Sequence, residues 1–139
     1  MQKLAIDGGQ PVRRDPFPKW PIFGELERNL LLEVLNSGLW GGTGRVKLPI
    51  VEERFAKLHG AMHAVTVVNG TVAITVALKA AGVETGDEVI VPPYTFYATA
   101  AAPLMYGAIP VFADVDPKTL MLDPASVEER ITPRTKAII

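Results

Sequence analysis

From residue 64 to residue 139, short β-branched runs alternate with longer stretches of helical pattern. Residues 64–68 (Ala-Val-Thr-Val-Val), 88–91 (Glu-Val-Ile-Val, closed by Pro92-Pro93) and 109–113 read as strands, and a further strand opens at Ala137. Residues 70–81, 96–106 and 123–131 read as helices. The first ends at Gly82, and the last starts with Asp123 as its cap and Pro124 at the first helical position. The order β-α-β-α-β-α-β predicts an α/β fold, a three-layer α/β/α arrangement around a mostly parallel sheet.

Upstream the pattern changes. Residues 1–20 hold Gly8-Gly9, Pro11, Pro16 and Pro18 and read as an irregular arm. A helix follows over 25–36, with Leu26, Leu30, Leu31, Val34 and Leu35 on one face and a stop at Ser37-Gly38. Residues 38–44 form a loop with four glycines in seven positions. A second helix is expected over 50–59, with Ile50, Phe55 and Leu58 inward and Gly60 closing it.

Composition narrows the functions open to such a chain. In 139 residues, 14 Lys+Arg stand against 15 Asp+Glu, a net charge of -1, which argues against the basic surface that dominates nucleic-acid affinity. There is no cysteine, so disulfide scaffolds, cysteine zinc sites and cysteine nucleophiles are excluded. No run approaches the roughly 18 apolar residues of a membrane span. The start carries no secretory signal pattern, so a cytoplasmic location is the default. At the other end, residues 135–139 read as a core strand just beginning. Termini usually lie exposed, so the chain is expected to be the first part of a longer one.

Ligands of an open parallel sheet bind beyond the carboxyl ends of its strands, and two segments are expected there. In Val68-Asn69-Gly70-Thr71-Val72 a strand runs into a helix. Gly70 allows close approach, Thr71 offers a hydroxyl, and the first N–H groups of the helix suit a phosphate. Neither GxxxxGK[ST] nor GxGxxG is present, and a plain Gly-Thr turn remains the alternative. The second segment, Pro92-Pro93-Tyr94-Thr95-Phe96-Tyr97, sets three aromatics in four residues at a strand end. They either stack on a flat heterocycle or pack in the core.

Other candidates carry less. His59 and His63 are separated by Gly60, which breaks a shared helix, and a metal site needs more ligands than that pair. Asp114 and Asp116 at a strand end read as a solvated turn sooner than a cation site, and Asp87-Glu88 as a turn charge pair. No metal site is expected.

Asn69-Gly70-Thr71, Gly86-Asp87-Glu88-Val89-Ile90, Tyr94-Thr95-Phe96, the run GAIPVFADVDP over 107–117, Leu122-Asp123-Pro124 and ITPRTKAII over 131–139 stand in an order and spacing that resembles the DegT/DnrJ/StrS family. These are fold-type-I sugar and cyclitol aminotransferases that use pyridoxal 5′-phosphate (PLP). The opening LAIDGGQPVR and FPKWP resembles the cyclitol and aminohydroxybenzoate-synthase branches. The resemblance implies that Gly70, Thr71 and Val72 hold the cofactor's phosphate and that Phe96 covers its ring. It implies more weakly that Trp40, Gly41 and Gly42 line the substrate pocket. It also implies an N-terminal arm over 1–22 and an incomplete PLP-binding large domain over 23–139.

The implied function is the N-terminal part of an enzyme passing an amino group from glutamate or glutamine to a keto-sugar or keto-cyclitol, in secondary-metabolite or cell-surface sugar biosynthesis. A homodimer is expected at full length. The family's Schiff-base Lys and the Asp that pairs with the pyridine nitrogen are expected beyond Ile139, so no catalytic residue is assigned here and the chain alone is expected to be inactive. The alternatives are a PLP-dependent sugar dehydratase on the same scaffold and a non-catalytic phosphate-ligand or interaction module.

Overall fold

The computed structural model describes residues 3–41 and 46–139 and divides the chain into two compact units, Met1–Ala64 and Val65–Ile139.

In the first unit, α1 spans Glu25–Ser37 and α2 spans Lys47–Leu58. Gly38 ends α1 in the left-handed conformation (φ 67°), as the Ser37-Gly38 stop predicts. At the other end of α1, the Gly24 N–H donates to Glu27 Oε2 at 2.7 Å. The second helix begins three residues before the expected start. Pro49 lies in its first turn, where the missing N–H would have no partner within the helix anyway. The expected inward face of α2 is corrected: Ile50, Phe55 and Leu58 are exposed, and Ala56 is the buried residue. Among the described residues of this unit Ala56 alone is buried, so it has almost no core of its own.

The second unit contains α3 (Gly70–Ala80), β1 (Glu88–Val91), α4 (Ala98–Leu104), β2 (Ile109–Phe112), α5 (Pro124–Arg130) and β3 (Thr135–Ile138). The strands form a parallel sheet in the order β2-β1-β3. All four residues of β1 are buried: Val89, Ile90 and Val91 are the apolar run a central parallel strand requires, and Glu88 is the one charged residue among them. Val89 and Val91 join Leu78 of α3, Ala102 of α4, Val83 and Ala108 in the core cluster. Ile90 points to the opposite face and is also fully buried. The α/β fold with a parallel sheet is therefore observed.

Three expectations change. Residues 64–68 form no strand: Val65 and Val68 are 77% and 84% exposed, and no described strand forms a ladder with this segment. A β-branched run becomes a strand only where a partner edge supplies its hydrogen bonds. The helix expected over 96–106 shortens to α4, since the chain turns through Phe96 and Tyr97, and Pro103 lies near its end. Glu88 is no solvated turn charge. Its buried carboxylate pairs with Arg134, whose Nε donates to Oε1 at 2.9 Å, and also accepts the Thr132 hydroxyl. These contacts hold the Glu88 carboxyl below the ordinary glutamate range, the Thr132 hydroxyl contributing most, against a burial that pushes it up.

No helix among the described residues is long and apolar enough to cross a membrane.

Candidate cofactor site

The site is built at the start of α3. Asn69 is extended (φ -165°, ψ 173°) and caps the helix, its Oδ1 accepting the Val72 N–H at 2.9 Å. The Asn69 carbonyl accepts the Ala73 N–H at 3.0 Å. The N–H groups of Gly70 and Thr71 and the Thr71 hydroxyl have no hydrogen-bond partner among the described residues. A Cβ built on Gly70 would meet nothing within 4 Å, so this end is open to approach. No acidic residue lies in the first turn, which leaves the positive end of the helix dipole unneutralised.

Topology brings the aromatic segment to the same end of the unit. The third helix runs back to the amino end of β1, so its own start lies toward the carboxyl end of that strand. The link from β1 to α4 begins at that same carboxyl end, and α3 packs on α4. Within α3, Thr75 donates its hydroxyl to the Thr71 carbonyl at 2.8 Å. In the link, the Thr95 and Thr99 hydroxyls share a hydrogen bond of 2.9 Å that pins the turn. Phe96 is 68% exposed, and its ring lies 4.5 Å from that of Tyr97, itself exposed. Tyr94 is exposed as well, so none of the three aromatics packs in the core of this unit.

Two free N–H groups, a free hydroxyl and an open approach match the donor set a phosphate monoester needs. An exposed phenyl ring at the same end offers a stacking face for a flat heterocycle. Val72 differs from the other residues expected there, because its N–H is taken by the Asn69 cap. Asn69 itself was missed in the sequence, although an Asn one residue before a helix is a recognised cap signal. Lys79, near the far end of α3, lies over the Tyr106 ring at 5.6 Å.

Asp116 is engaged in its own turn, accepting the N–H groups of Lys118 and Thr119 at 2.8 and 2.9 Å. His59 stacks on Phe55 at 4.4 Å between centroids. Among the described residues no cluster of three or more His, Asp or Glu could hold a metal.

In the first unit, Trp40 borders a pocket of about 270 Å³, together with Glu33, Val34, Ser37, Leu39, Val46, Lys47 and Leu48. Gly41 is exposed, and Gly42 lies outside the described residues. Sequence reasoning missed Glu33 and Lys47, which pair at 2.7 Å. The available signal was a lysine opening a helix, where a cation opposes the dipole.

Comparison with known proteins gives a consistent picture. The sequence pattern of the DegT/DnrJ/EryC1/StrS aminotransferase family matches residues 21–139. The chain is 43% identical over 143 residues to an L-glutamine:2-deoxy-scyllo-inosose aminotransferase from Streptomyces lividus, covering 99% of this chain and 34% of that protein. It therefore spans about a third of the length of the curated relatives it matches. The crystal structure of 3-amino-5-hydroxybenzoic acid synthase superposes with a TM-score of 0.84 at 45% identity, covering 88% of this chain and 32% of that one. NtdA from Bacillus subtilis with bound cofactor PMP superposes with a TM-score of 0.74 at 38% identity, covering 82% and 26%.

Proposed function

The chain belongs to the DegT/DnrJ/EryC1/StrS aminotransferase family, and on that premise we propose that the protein carrying it transfers an amino group from L-glutamine or glutamate to a keto-cyclitol or keto-sugar, with PLP as cofactor. The observation that carries the reading is the likeness, along nearly the whole chain, to an enzyme whose name gives both glutamine and a scyllo-inosose. A relative bound to PMP supports the cofactor. No observation favours the dehydratase or the non-catalytic module.

The residues at the start of α3 fit the cofactor's phosphate. Gly70 and Thr71 would donate their free N–H groups, and Thr71 its hydroxyl, at the positive end of the helix. Phe96 would offer its exposed phenyl as a stacking face for the cofactor's ring. Val72 joins only when Asn69 releases it. When bound, the cofactor supplies the electron sink on which amino transfer depends. This chain supplies binding and orientation; the Lys and Asp that act on the cofactor are assigned to the rest of the protein, and the chain alone is inactive.

The same reading places an arm over 1–22 and the cofactor-binding domain from residue 23. It sets Trp40, Gly41 and Gly42 at the acceptor pocket and takes the full-length protein as a cytoplasmic homodimer serving amino-sugar or aminocyclitol synthesis.

The test is a chimera in which residues 1–139 replace the matching third of the Streptomyces lividus enzyme. Transfer from L-glutamine to 2-deoxy-scyllo-inosose, dependent on added PLP, is the expected result. A chimera that folds and holds PLP yet aminates no keto-cyclitol overturns the reading.

A further inference from the structure

The link between β1 and α4 contains a hydroxyl pair whose direction is set by burial. Thr95 Oγ1 and Thr99 Oγ1 lie 2.9 Å apart, and by distance alone either could donate. Thr99 is 7% exposed, whereas Thr95 is open to solvent. Among the described residues the Thr99 hydroxyl has no other partner. Were Thr95 the donor, the Thr99 proton would stay buried and unpaired, and that penalty outweighs the bond itself. Thr99 therefore donates and Thr95 accepts. A hydroxyl has one proton and two acceptor sites, so Thr95 keeps its own proton, unspent, on the exposed side of the pair. The start of α3 follows the same plan. Thr75, 9% exposed, donates its hydroxyl to the Thr71 carbonyl at 2.8 Å, with the Met105 sulfur a longer contact at 3.4 Å. The Thr71 hydroxyl stays free. Thr71 and Thr95 thus each stand four residues before a buried threonine with a donor to spare, on the two segments that topology brings to the carboxyl end of β1.

We propose that Thr95 is a further binding residue of the cofactor site, its hydroxyl donating to an oxygen of the cofactor whose ring lies on Phe96. The choice of ligand rests on the reading of this site as the PLP site; the free proton does not. Phe96 follows Thr95 directly in the same turn, so the hydroxyl borders the stacking face. The ring's hydroxyl oxygen is the expected acceptor, because the phosphate already has its donors on α3. Thr99 is a positioning residue. By filling one acceptor site of Thr95 it narrows the directions in which the Thr95 proton can point, and it does so from a buried place that no ligand reaches.

The probe is pyridoxamine 5′-phosphate (PMP), whose amine does not react with the lysines of the chain. It is titrated into the 139-residue chain and followed by its ³¹P resonance, with inorganic phosphate titrated in parallel. Thr95→Val should raise the PMP midpoint about fivefold or more, the loss of one hydrogen bond, and leave that of inorganic phosphate unchanged. Thr95→Ser keeps the hydroxyl and should stay within about twofold. Thr95→Val also orphans the buried Thr99 hydroxyl, so it should lower the urea midpoint. Adding Thr99→Val makes both partners apolar and should recover that midpoint without recovering PMP affinity. Affinity that returned together with stability would reduce the pair to a structural contact and overturn the proposal. So would a Thr95→Val chain that binds PMP as tightly as the unaltered one. An equal loss for inorganic phosphate would move the accepting oxygen to the phosphate and keep Thr95 as its donor. If the unaltered chain binds no PMP, the cofactor site falls together with the proposal; if it binds PMP and ignores Thr95→Val, Thr95 falls alone.

Discussion

Asn69→Ala separates two ways in which the start of α3 can hold a phosphate. In the structure the Asn69 side chain occupies the Val72 N–H at 2.9 Å, leaving Gly70 and Thr71 free. Removing an N-cap side chain costs about 1 kcal/mol of helix stability. The variant should therefore lose about fivefold in hydrogen-exchange protection at Ala73, whose N–H closes the first turn on the Asn69 carbonyl. Phosphate affinity should move in the opposite direction. If Val72 is a third backbone donor to the phosphate, binding to the unaltered chain must first displace the cap, and that cost disappears in the variant. PLP should then bind up to about fivefold tighter, the factor that corresponds to 1 kcal/mol. If only Gly70 and Thr71 serve, affinity stays level. The assay is a titration of the 139-residue chain with PLP, followed by the ³¹P resonance, with exchange measured on the same sample. Weaker PLP binding together with reduced protection would refute the reasoning, since Asn69 would then be holding the ligand or its site and not competing with it. Unchanged protection would refute the cap itself.

Three further outcomes follow from the same geometry. Phe96→Ala should change urea stability by no more than about 0.5 kcal/mol, as expected for an exposed side chain, yet weaken PLP binding, while Phe96→Tyr restores it; a large stability loss would place the ring in the core. Leu78→Ala, at a site 4% exposed and ringed by Val83, Val89, Val91 and Ala102, should cost about 3 kcal/mol in urea unfolding followed at 222 nm, within the range for buried leucines; a loss under about 1 kcal/mol would mean that this cluster is not closely packed. Glu88 carries the pH dependence. Its folded pKa is depressed by Thr132 and Arg134, so its stabilisation is complete above the ordinary glutamate pKa, about 4.3, and is lost as pH falls through the lower folded value. Glu88→Gln should flatten that acid-side fall in the urea midpoint, and an unchanged slope would remove Glu88 as its source.

What was legible in the sequence is what local chemistry decides. The run Glu88-Val89-Ile90-Val91 has the expected strand bounds because three consecutive β-branched residues closed by a proline pair suit a strand buried on both faces. Gly38, Gly82 and Asp123 mark helix ends through a left-handed φ or a side-chain cap that only a few residues supply. The start of α3 is legible for the same reason. Errors arise where the partner is distant. Arg134 lies 46 positions from Glu88, so nothing near Asp87-Glu88 announces a buried ion pair. Residues 64–68 have the composition of a strand, but pairing is not a local property. Ile50, Phe55 and Leu58 have helical spacing, yet spacing states which residues share a face and not what covers it.

Two helix starts in this chain show how the same orphan donors are put to different uses. At α1 the first turn carries its own acids: Glu25 and Glu27 lie there, and Glu27 accepts the Gly24 N–H, which holds its carboxyl below the usual range. The charge of the helix start is met internally, so an anion arriving there would meet two carboxylates. At α3 the protein stops short. Asn69 is neutral, caps one N–H only, and is followed by Gly70 and Thr71, with no acid in the turn. The N–H groups of Gly70 and Thr71 have no partner among the described residues, a Cβ on Gly70 would meet nothing within 4 Å, and the helix dipole keeps its positive end. A chain under selection for helix stability alone would place Asp or Glu within that first turn, since an acid there contributes about 0.3–1 kcal/mol. Introducing one, as Ala73→Glu at an exposed position of that turn, should stabilise α3 by that amount and at the same time weaken PLP binding. If the acid strengthened both, the open helix start would have no connection with an anion.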